Sequence, residues 1–447
     1  MKVIQVPFCF YPDPVGGTEV YVEALGQGLQ RLGVEVVVAA PAEKEARYVH
    51  NGLPVRRFEV KQVFDDIREL YGSGDPIAAQ AFSRILDEEC PQLVHFHAMT
   101  PGVSHLLVRE AKKRRLPVVF TYHTPTVSCQ RGTLLRWGKE VCDGVLRLGV
   151  CTRCTLHGLG LPRGVADLVG LAPVAFDDVL GRLHRSGGMW TALRMRGLMA
   201  IRHESLRTFV KDVDCVIAVC EWVRDLIVRN GIPSEKVTLC RQGLAYTGEM
   251  APGSPEGGVS PGGRSAPLRM VFLGRLDPGK GLHILIRAIR ELSEESVTLD
   301  IYGIQQEGNK EARYRHYLQD LMSGDPRIRF VPSLPNSELM GRLREYSIVA
   351  VPSQLLETGP MVVLEAFSAG VPVLGSRLGG ISELVQHEVN GLLVEPRSIG
   401  DWSRPIRRLL EEEGLLDRLR RGIQKPRTME DVVGEMQVLY GKIAGSA

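Results

Sequence analysis

A chain of 447 residues that is 44% hydrophobic, 24% charged and only 6% aromatic has the composition of a soluble α/β protein, and is neither disordered nor fibrous. Its length exceeds what one hydrophobic core sustains, so two domains of about 200 residues are expected. A formal charge of +3 is too small to make nucleic acid the main partner.

The first residues, MKVIQVPFCFYP, read as a β-strand and not as an export signal, because Gln5 and two prolines interrupt the apolar run. Nowhere do about 18 apolar residues follow one another, so no transmembrane helix is expected. The nine cysteines are an odd number in a chain without an export signal, which argues against a secreted disulfide framework and for the cytoplasm. Peripheral contact with the inner face of a membrane is compatible with this. After the first strand comes Pro12-Asp13-Pro14-Val15-Gly16-Gly17-Thr18-Glu19, with Thr18 placed as the helix N-cap. Gly16 and Gly17 let the backbone approach a ligand, and the helix start offers amides to a phosphate.

VEVVVAA, LVHFH, PVVFTYH and CVIAVC follow, each closing one βα unit, and this alternation implies a parallel, doubly wound sheet. His97 and His123 fall at the carboxyl ends of their strands, where such sheets bind ligands, although a lone histidine there is as readily structural. The stretch from about 125 to 212 is too long for a βα loop and reads as an insertion. It holds Cys129, Cys142, Cys151 and Cys154, a loose four-thiolate spacing that zinc would fill most simply. An iron–sulfur cluster needs the same thiolates, and His157 can replace one sulfur. The same insertion carries Arg194, Arg196, Arg202 and Arg207 beside Trp190, and Arg109 to Arg115 form a basic run upstream. Basic amphipathic faces of this kind suit an anionic membrane, or simply solvent.

Residues 245–267 are dominated by Gly, Pro and Ser and read as a flexible linker between domain 1–244 and domain 268–427. The second domain repeats the alternation through LRMVFLG, VTLDIYG, RIRFVPS, YSIVAVPS, VPVLGS and GLLVEP. FLGRLDPGKG sets Arg275 and Lys280 on a Gly/Pro-bounded turn, two cations able to neutralise a diphosphate leaving group. In VPSQLLETGPMVVLEAFSAG, Glu357 lies on a loop, Pro360 suits a first helical turn and Glu365 sits on the second. The Thr358-Gly359-Pro360-Met361 helix start can dock a phosphate, with acceptor-only carboxylates on either side for sugar hydroxyls. Residues 428–447 form a last helix with one apolar face, Thr428 being its N-cap.

Taken in order, GGTEVYVEAL, CVIAVCEWVRDLIVRNGIPSEKVTL, GRLDPGKG, the Glu357-to-Glu365 segment and LGGISELVQHEVNGLLVEP resemble the retaining GT-B glycosyltransferases marked by an E-x7-E motif, the glycosyl transferases group 1, family 4. The resemblance spans nearly the whole chain. It implies two Rossmann-like domains whose parallel sheets face a donor/acceptor cleft, with the last helix crossing back to the first domain. It implies that Arg275 and Lys280 bind the diphosphate of a UDP- or GDP-sugar, Glu365 the ribose and Glu357 the transferred sugar. It also implies that Gly16 and Gly17 border the donor phosphate, that His123 lines the sugar pocket without acting as general base, and that transfer to a glycan, lipid-linked or small-molecule acceptor proceeds with retention and no essential cofactor or metal. Thr358-Gly359-Pro360 replaces the commoner Gly- or Pro-Phe-Gly, which leaves the sugar open, and Arg241-Gln242-Gly243 is given no role. A nucleotide-sugar 2-epimerase and a non-catalytic nucleotide-sugar or metal-binding protein are the alternatives.

Overall fold

The computed structural model describes every residue except 14–15, 183–186, 246–266, 293–295, 305–308, 333–334 and 446–447. The 245–267 linker thus lies, apart from its end residues, outside the described residues. The chain divides into two compact units, Met1–Arg241 with Met429–Ala447, and Gln242–Thr428.

The first unit opens with β1 (Lys2–Val6), α1 (Gly17–Arg31), β2 (Glu35–Ala42), β3 (Ala46–His50) and β4 (Leu53–Glu59). It continues with α2 (Pro76–Glu89), β5 (Leu93–Phe96), α3 (His105–Lys113) and β6 (Val118–Tyr122). β5 and β6 are buried at every position, as strands covered by helices on both faces must be. The β3–β4 hairpin is absent from the sequence reading. ARYVH and LPVRRFE carry arginines and a proline where a strand pattern calls for apolar residues, yet Arg56 and Arg57 are both buried because carboxylates meet them: Glu88 and Glu89 for the first, Asp13 for the second.

The insertion follows as a short hairpin, β7 (Leu135–Arg136) and β8 (Glu140–Val141), then α4 (Leu148–Gly158), α5 (Arg163–Val169), α6 (Ala175–Arg182) and α7 (Gly188–Asp212). Leu156, Met195, Leu198 and Met199 form a small core with Tyr71, which comes from the segment before α2. α7 keeps only part of the basic face that its sequence suggests: Arg207 is exposed, while two other arginines turn inward. Arg194 is buried with Nε 2.7 Å from Asp177 Oδ1, and Arg202 turns inward to the carbonyls of Thr126 and Val127. The run on α3 is likewise offset by acids, with Lys112 2.8 Å from Asp214 and Arg114 2.6 Å from Asp87. Among the described residues no helix is long and apolar enough to cross a membrane.

β9 (Cys215–Ala218), α8 (Glu221–Arg229) and β10 (Val237–Leu239) complete an eight-stranded sheet of order β10-β9-β6-β5-β1-β2-β4-β3, parallel except for β3. The strand order reverses at β1, so the loops after β1 and β5 part there and leave a crevice at the carboxyl edge.

The second unit runs β11 (Leu268–Arg275), α9 (Leu282–Arg290), β12 (Val297–Ile304), α10 (Asn309–Met322), β13 (Ile328–Phe330), α11 (Asn336–Leu343) and β14 (Ile348–Val351). It ends with α12 (Met361–Ser368), β15 (Val373–Ser376), α13 (Gly379–Leu384), β16 (Gly391–Val394), α14 (Ile399–Glu411) and α15 (Leu415–Arg421). The sheet order is β13-β12-β11-β14-β15-β16, all parallel, with Leu285, Ile289 and Trp402 in the core on one face and Val349, Val363 and Phe367 on the other. Its switch point lies between β11 and β14.

The last helix, α16 (Met429–Gly445), packs on α1 in the first unit. Val432, Val433, Met436 and Tyr440 are at most 3% exposed, and burial of such side chains contributes about 1.5–3 kcal/mol each. Gly28 makes the approach possible: a Cβ there would stand 2.3 Å from Val433 Cγ2.

Candidate functional site

In the second unit the switch point is built by a turn and a loop that lock together. β11 ends at Arg275, and a 3-10 turn over Pro278–Lys280 follows, started by Asp277, whose Oδ1 accepts the Gly279 N–H at 2.7 Å. Gly281 sits in the left-handed region at φ +71°, and a Cβ on it would lie 1.8 Å from the Pro352 carbonyl oxygen. Glycine alone lets the turn press against the loop after β14. Gln354 N–H then donates to Gly279 O at 2.7 Å, while its side-chain amide donates to the carbonyls of Pro352 and Pro396 at 2.8 and 2.6 Å.

This brings together two side chains 77 positions apart: Lys280 Nζ lies 2.7 Å from Glu357 Oε1. Ser353 donates its hydroxyl to the same oxygen. With 26% and 17% of their side chains exposed, the ammonium and the carboxylate are held in place before any ligand arrives. Arg275 is exposed, with no ion pair among the described residues, so its guanidinium is available to a phosphate. The Glu357 backbone is also held, its carbonyl accepting the Gly380 N–H at 2.8 Å. A Cβ on Gly380 would meet that oxygen at 2.8 Å.

α12 starts one residue later than the sequence suggests. Pro360 is its N-cap, not its first helical residue, and Met361 opens the helix. The amides of that first turn point toward the loop carrying Thr358 and Gly359, at the positive end of the helix dipole. The Gln242 side chain crosses Gly359 so closely that a Cβ there would be 1.9 Å from Gln242 Oε1. The Arg241-Gln242-Gly243 loop, given no role from sequence, therefore shapes this corner.

Glu365 stands on the second turn of α12, where burial pushes its carboxyl up to about 7. The folded value thus exceeds the ordinary one near 4.5, so the native state holds an extra proton between those two pH values and loses stability as pH rises through them. Two results are expected. A ligand whose hydroxyls donate to ionised Glu365 binds more tightly as pH rises from 6 to 8, seen in titration calorimetry. Glu365→Gln flattens that dependence and gains melting temperature relative to the parent above pH 7.

In the first unit the loop after β1 is tied from β4: Arg57 Nη1 donates to Phe10 O at 2.9 Å, and Nη2 to Pro41 O at 2.8 Å and to the Asp13 carboxylate. The N-cap of α1 is Gly16 and not Thr18, because buried Glu19 reaches back to accept the Gly16 N–H at 2.8 Å. Gly17 is the first helical residue, with nothing within 4 Å of where its Cβ would stand. His97 and His123, 2% and 4% exposed, meet with Nδ1 3.0 Å from Nε2, and the Tyr21 ring lies 4.8 Å from His123. Burial pushes His123 down to about 3, which keeps the ring neutral and suits it to hydrogen bonding, not to taking up a proton.

The four clustered cysteines line one cavity between the β7–β8 hairpin and α4. Among the described residues, however, no group of three or more His, Cys, Asp or Glu side chains is arranged to hold a metal ion. Cys151 and Cys154 share a helix while Cys129 and Cys142 come from separate loops. The Trp137 N–H points at Cys154 Sγ at 3.4 Å and the Gly144 N–H at Cys142 Sγ at 3.5 Å. Burial pushes the Cys151 thiol up to about 11. His157 is engaged elsewhere, its Nδ1 2.9 Å from Leu161 O. Among the described residues no disulfide joins any of the nine cysteines.

Residues 16–243 match the family model described as Glycosyl transferase 4-like domain, and residues 262–425 that of Glycosyl transferases group 1. Curated relatives include D-inositol 3-phosphate glycosyltransferases from Corynebacterium glutamicum, 34% identical over 32% of this chain and 35% of the relative, and from Nocardia farcinica, 29% identical over 48% of each. The chain thus spans a third to a half of the length of these relatives. Similar solved structures include sucrose-phosphate synthase from Thermosynechococcus elongatus, at TM-score 0.64, 18% identity and full coverage of both chains. Anabaena HepE in complex with UDP and glucose gives TM-score 0.62 and 16% identity over 99% of this chain and 100% of that one. At these identities the solved structures establish a shared GT-B fold.

Proposed function

The chain belongs to the group 1 glycosyltransferases, and from that premise we propose that it moves a sugar from a nucleotide diphosphate donor to an acceptor hydroxyl with retention and without an essential metal. The observation that carries the reading is the Lys280–Glu357 pair at 2.7 Å beside the start of α12. It sets a cation and an acceptor-only carboxylate side by side, as a diphosphate joined to a hydroxyl-rich sugar requires. Lys280 and Arg275 supply positive charge to the departing diphosphate, the part that a divalent ion plays elsewhere. Glu365 accepts from the ribose and Glu357 from the sugar, while the first helical amides face the phosphates.

The bond from the anomeric carbon to the diphosphate oxygen breaks as the acceptor oxygen approaches on the same face, and the acceptor proton passes to the leaving phosphate. Neutral, buried His123 contributes a hydrogen bond to the sugar. Gly16 and Gly17 border the donor phosphate. A UDP- or GDP-sugar is the expected donor, and the acceptor is a glycan, a lipid-linked saccharide met at a membrane surface or a small molecule. The names of the curated relatives make a phosphorylated polyol worth including.

Thermal-shift measurements against UDP-, GDP-, ADP- and TDP-sugars in the presence of EDTA test this. A donor at a hundredfold its Kd stabilises by about 2.7 kcal/mol. One donor is expected to raise the melting temperature, and Glu365→Ala to abolish the rise. No shift with any of the four would sink the donor assignment.

A further inference from the structure

Six side chains of the first unit form a continuous buried polar network that the diphosphate chemistry does not use. His97 Nε2 is 2.6 Å from Gln5 Oε1, and His97 Nδ1 is 3.0 Å from His123 Nε2. Gln5 Nε2 donates to the Tyr440 hydroxyl at 3.2 Å. That hydroxyl is 2.6 Å from His95 Nδ1, and His95 Nε2 is 2.7 Å from Thr121 Oγ1. None of the six is more than 4% exposed. Burial holds all three imidazoles well below the usual histidine range, so each ring carries a single proton at neutral pH.

A neutral imidazole donates through one nitrogen and accepts through the other, which gives the network a direction. Gln5 turns its carbonyl oxygen to His97, so His97 donates through Nε2 and accepts through Nδ1. The hydrogen between the two rings then belongs to His123 Nε2, and His123 Nδ1 carries a lone pair. At the other end the Gln5 amide N–H takes a lone pair of the Tyr440 oxygen. The Tyr440 hydrogen therefore goes to His95 Nδ1, and His95 Nε2–H goes to Thr121. Turning the Gln5 amide over reverses every one of these bonds and puts a hydrogen on His123 Nδ1. A mixed arrangement would set two hydrogens or two lone pairs face to face in a buried contact and leave a buried polar group unsatisfied. The polarity is collective, and the Gln5 amide is where it turns.

We infer that Gln5 and Tyr440 are positioning residues that fix His123 in its Nε2–H form, with Nδ1 as its acceptor nitrogen. The helix that ends the chain thereby sets which hydrogen-bonding face a residue 317 positions upstream offers. This rests on the reading above in assigning His123 to the sugar pocket, but the tautomer itself is read without any turnover.

Nitrogen-15 spectra of the ligand-free, full-length protein labelled at histidine provide the test, with His123 assigned by comparison with His123→Asn. The expected result is a pyrrole-type Nε2 and a pyridine-type Nδ1 for His123. In Tyr440→Phe the Gln5 amide loses its acceptor, and His123 is expected to split between the two tautomers. The KM for the sugar substrate then rises about tenfold, the loss of one hydrogen bond, with kcat changed less. A wild-type His123 bearing its proton on Nδ1 would overturn the inference, as would a tautomer unmoved in both Tyr440→Phe and Gln5→Leu. Should Tyr440→Phe not fold, the wild-type spectrum and Gln5→Leu still decide. Because the spectra need no donor, a protein that fails to transfer sugar still reports its tautomer, and the two failures stay distinct.

Discussion

Replacing Lys280 with alanine is expected to lower kcat by about 10²–10³-fold, the scale on which removal of one preorganised charge-stabilising group acts. The ammonium touches the Glu357 carboxylate before ligand binds, so it is in position at the moment negative charge develops on the leaving diphosphate. Arg275, exposed at the strand end, does not replace it, because a guanidinium on a different stem cannot hold Glu357 as well. Lys280→Arg should retain part of the rate for the same reason. Glu357→Ala should lower kcat on a similar scale, and the double variant should be little worse than either single one, since the two act as a unit. Single-turnover kinetics with the donor found by thermal shift would check this. A Lys280→Ala enzyme within threefold of wild type would remove the cation from the chemistry.

The second large effect concerns no polar group at all. Gly281→Val is expected to destabilise the second unit by about 2–5 kcal/mol, combining left-handed backbone strain with overpacking against fixed backbone. The Pro352 carbonyl that would be struck, 1.8 Å from the new Cβ, cannot swing aside like a flexible side chain. Either the turn or the Ser353–Glu357 loop must move. Donor affinity should therefore fall along with stability, whereas Gly324→Ala, at a positive-φ glycine with open space around it, should cost stability only modestly and leave affinity intact. Denaturant unfolding and donor titration on the same preparations separate the two effects. Unchanged affinity in a folded Gly281→Val protein would contradict the locked-turn account.

How much of this was legible beforehand depends on whether a residue acts through its own pattern or through a neighbour. Alternating Val/Ile-rich runs and Gly-bounded turns made the two parallel sheets readable, and the Glu357-to-Glu365 spacing marked the loop and helix that carry them. The β3–β4 hairpin was hidden because Arg56 and Arg57 look solvent-facing until Glu88, Glu89 and Asp13 arrive from elsewhere in the chain. The same physics misread α7, where Asp177 takes Arg194 into the interior. Ser353, Gln354 and Gly380 serve the site by holding other atoms still, and short polar residues or a glycine carry no local signal of that service. Gln5 and Tyr440 are farther out of reach, since they lie at opposite ends of the sequence and reach His123 only through His97.

The packing of α16 on α1 has a consequence for how the protein is made. Synthesis proceeds from the amino end, and domains tend to fold as they emerge. Here the strip of α1 around Gly28 waits uncovered until Val432, Val433, Met436 and Tyr440 leave the ribosome, after the whole second unit has been translated. The nascent chain therefore carries an open seam on α1 until α16 has been made, and a stop codon ahead of Met429 leaves that seam uncovered.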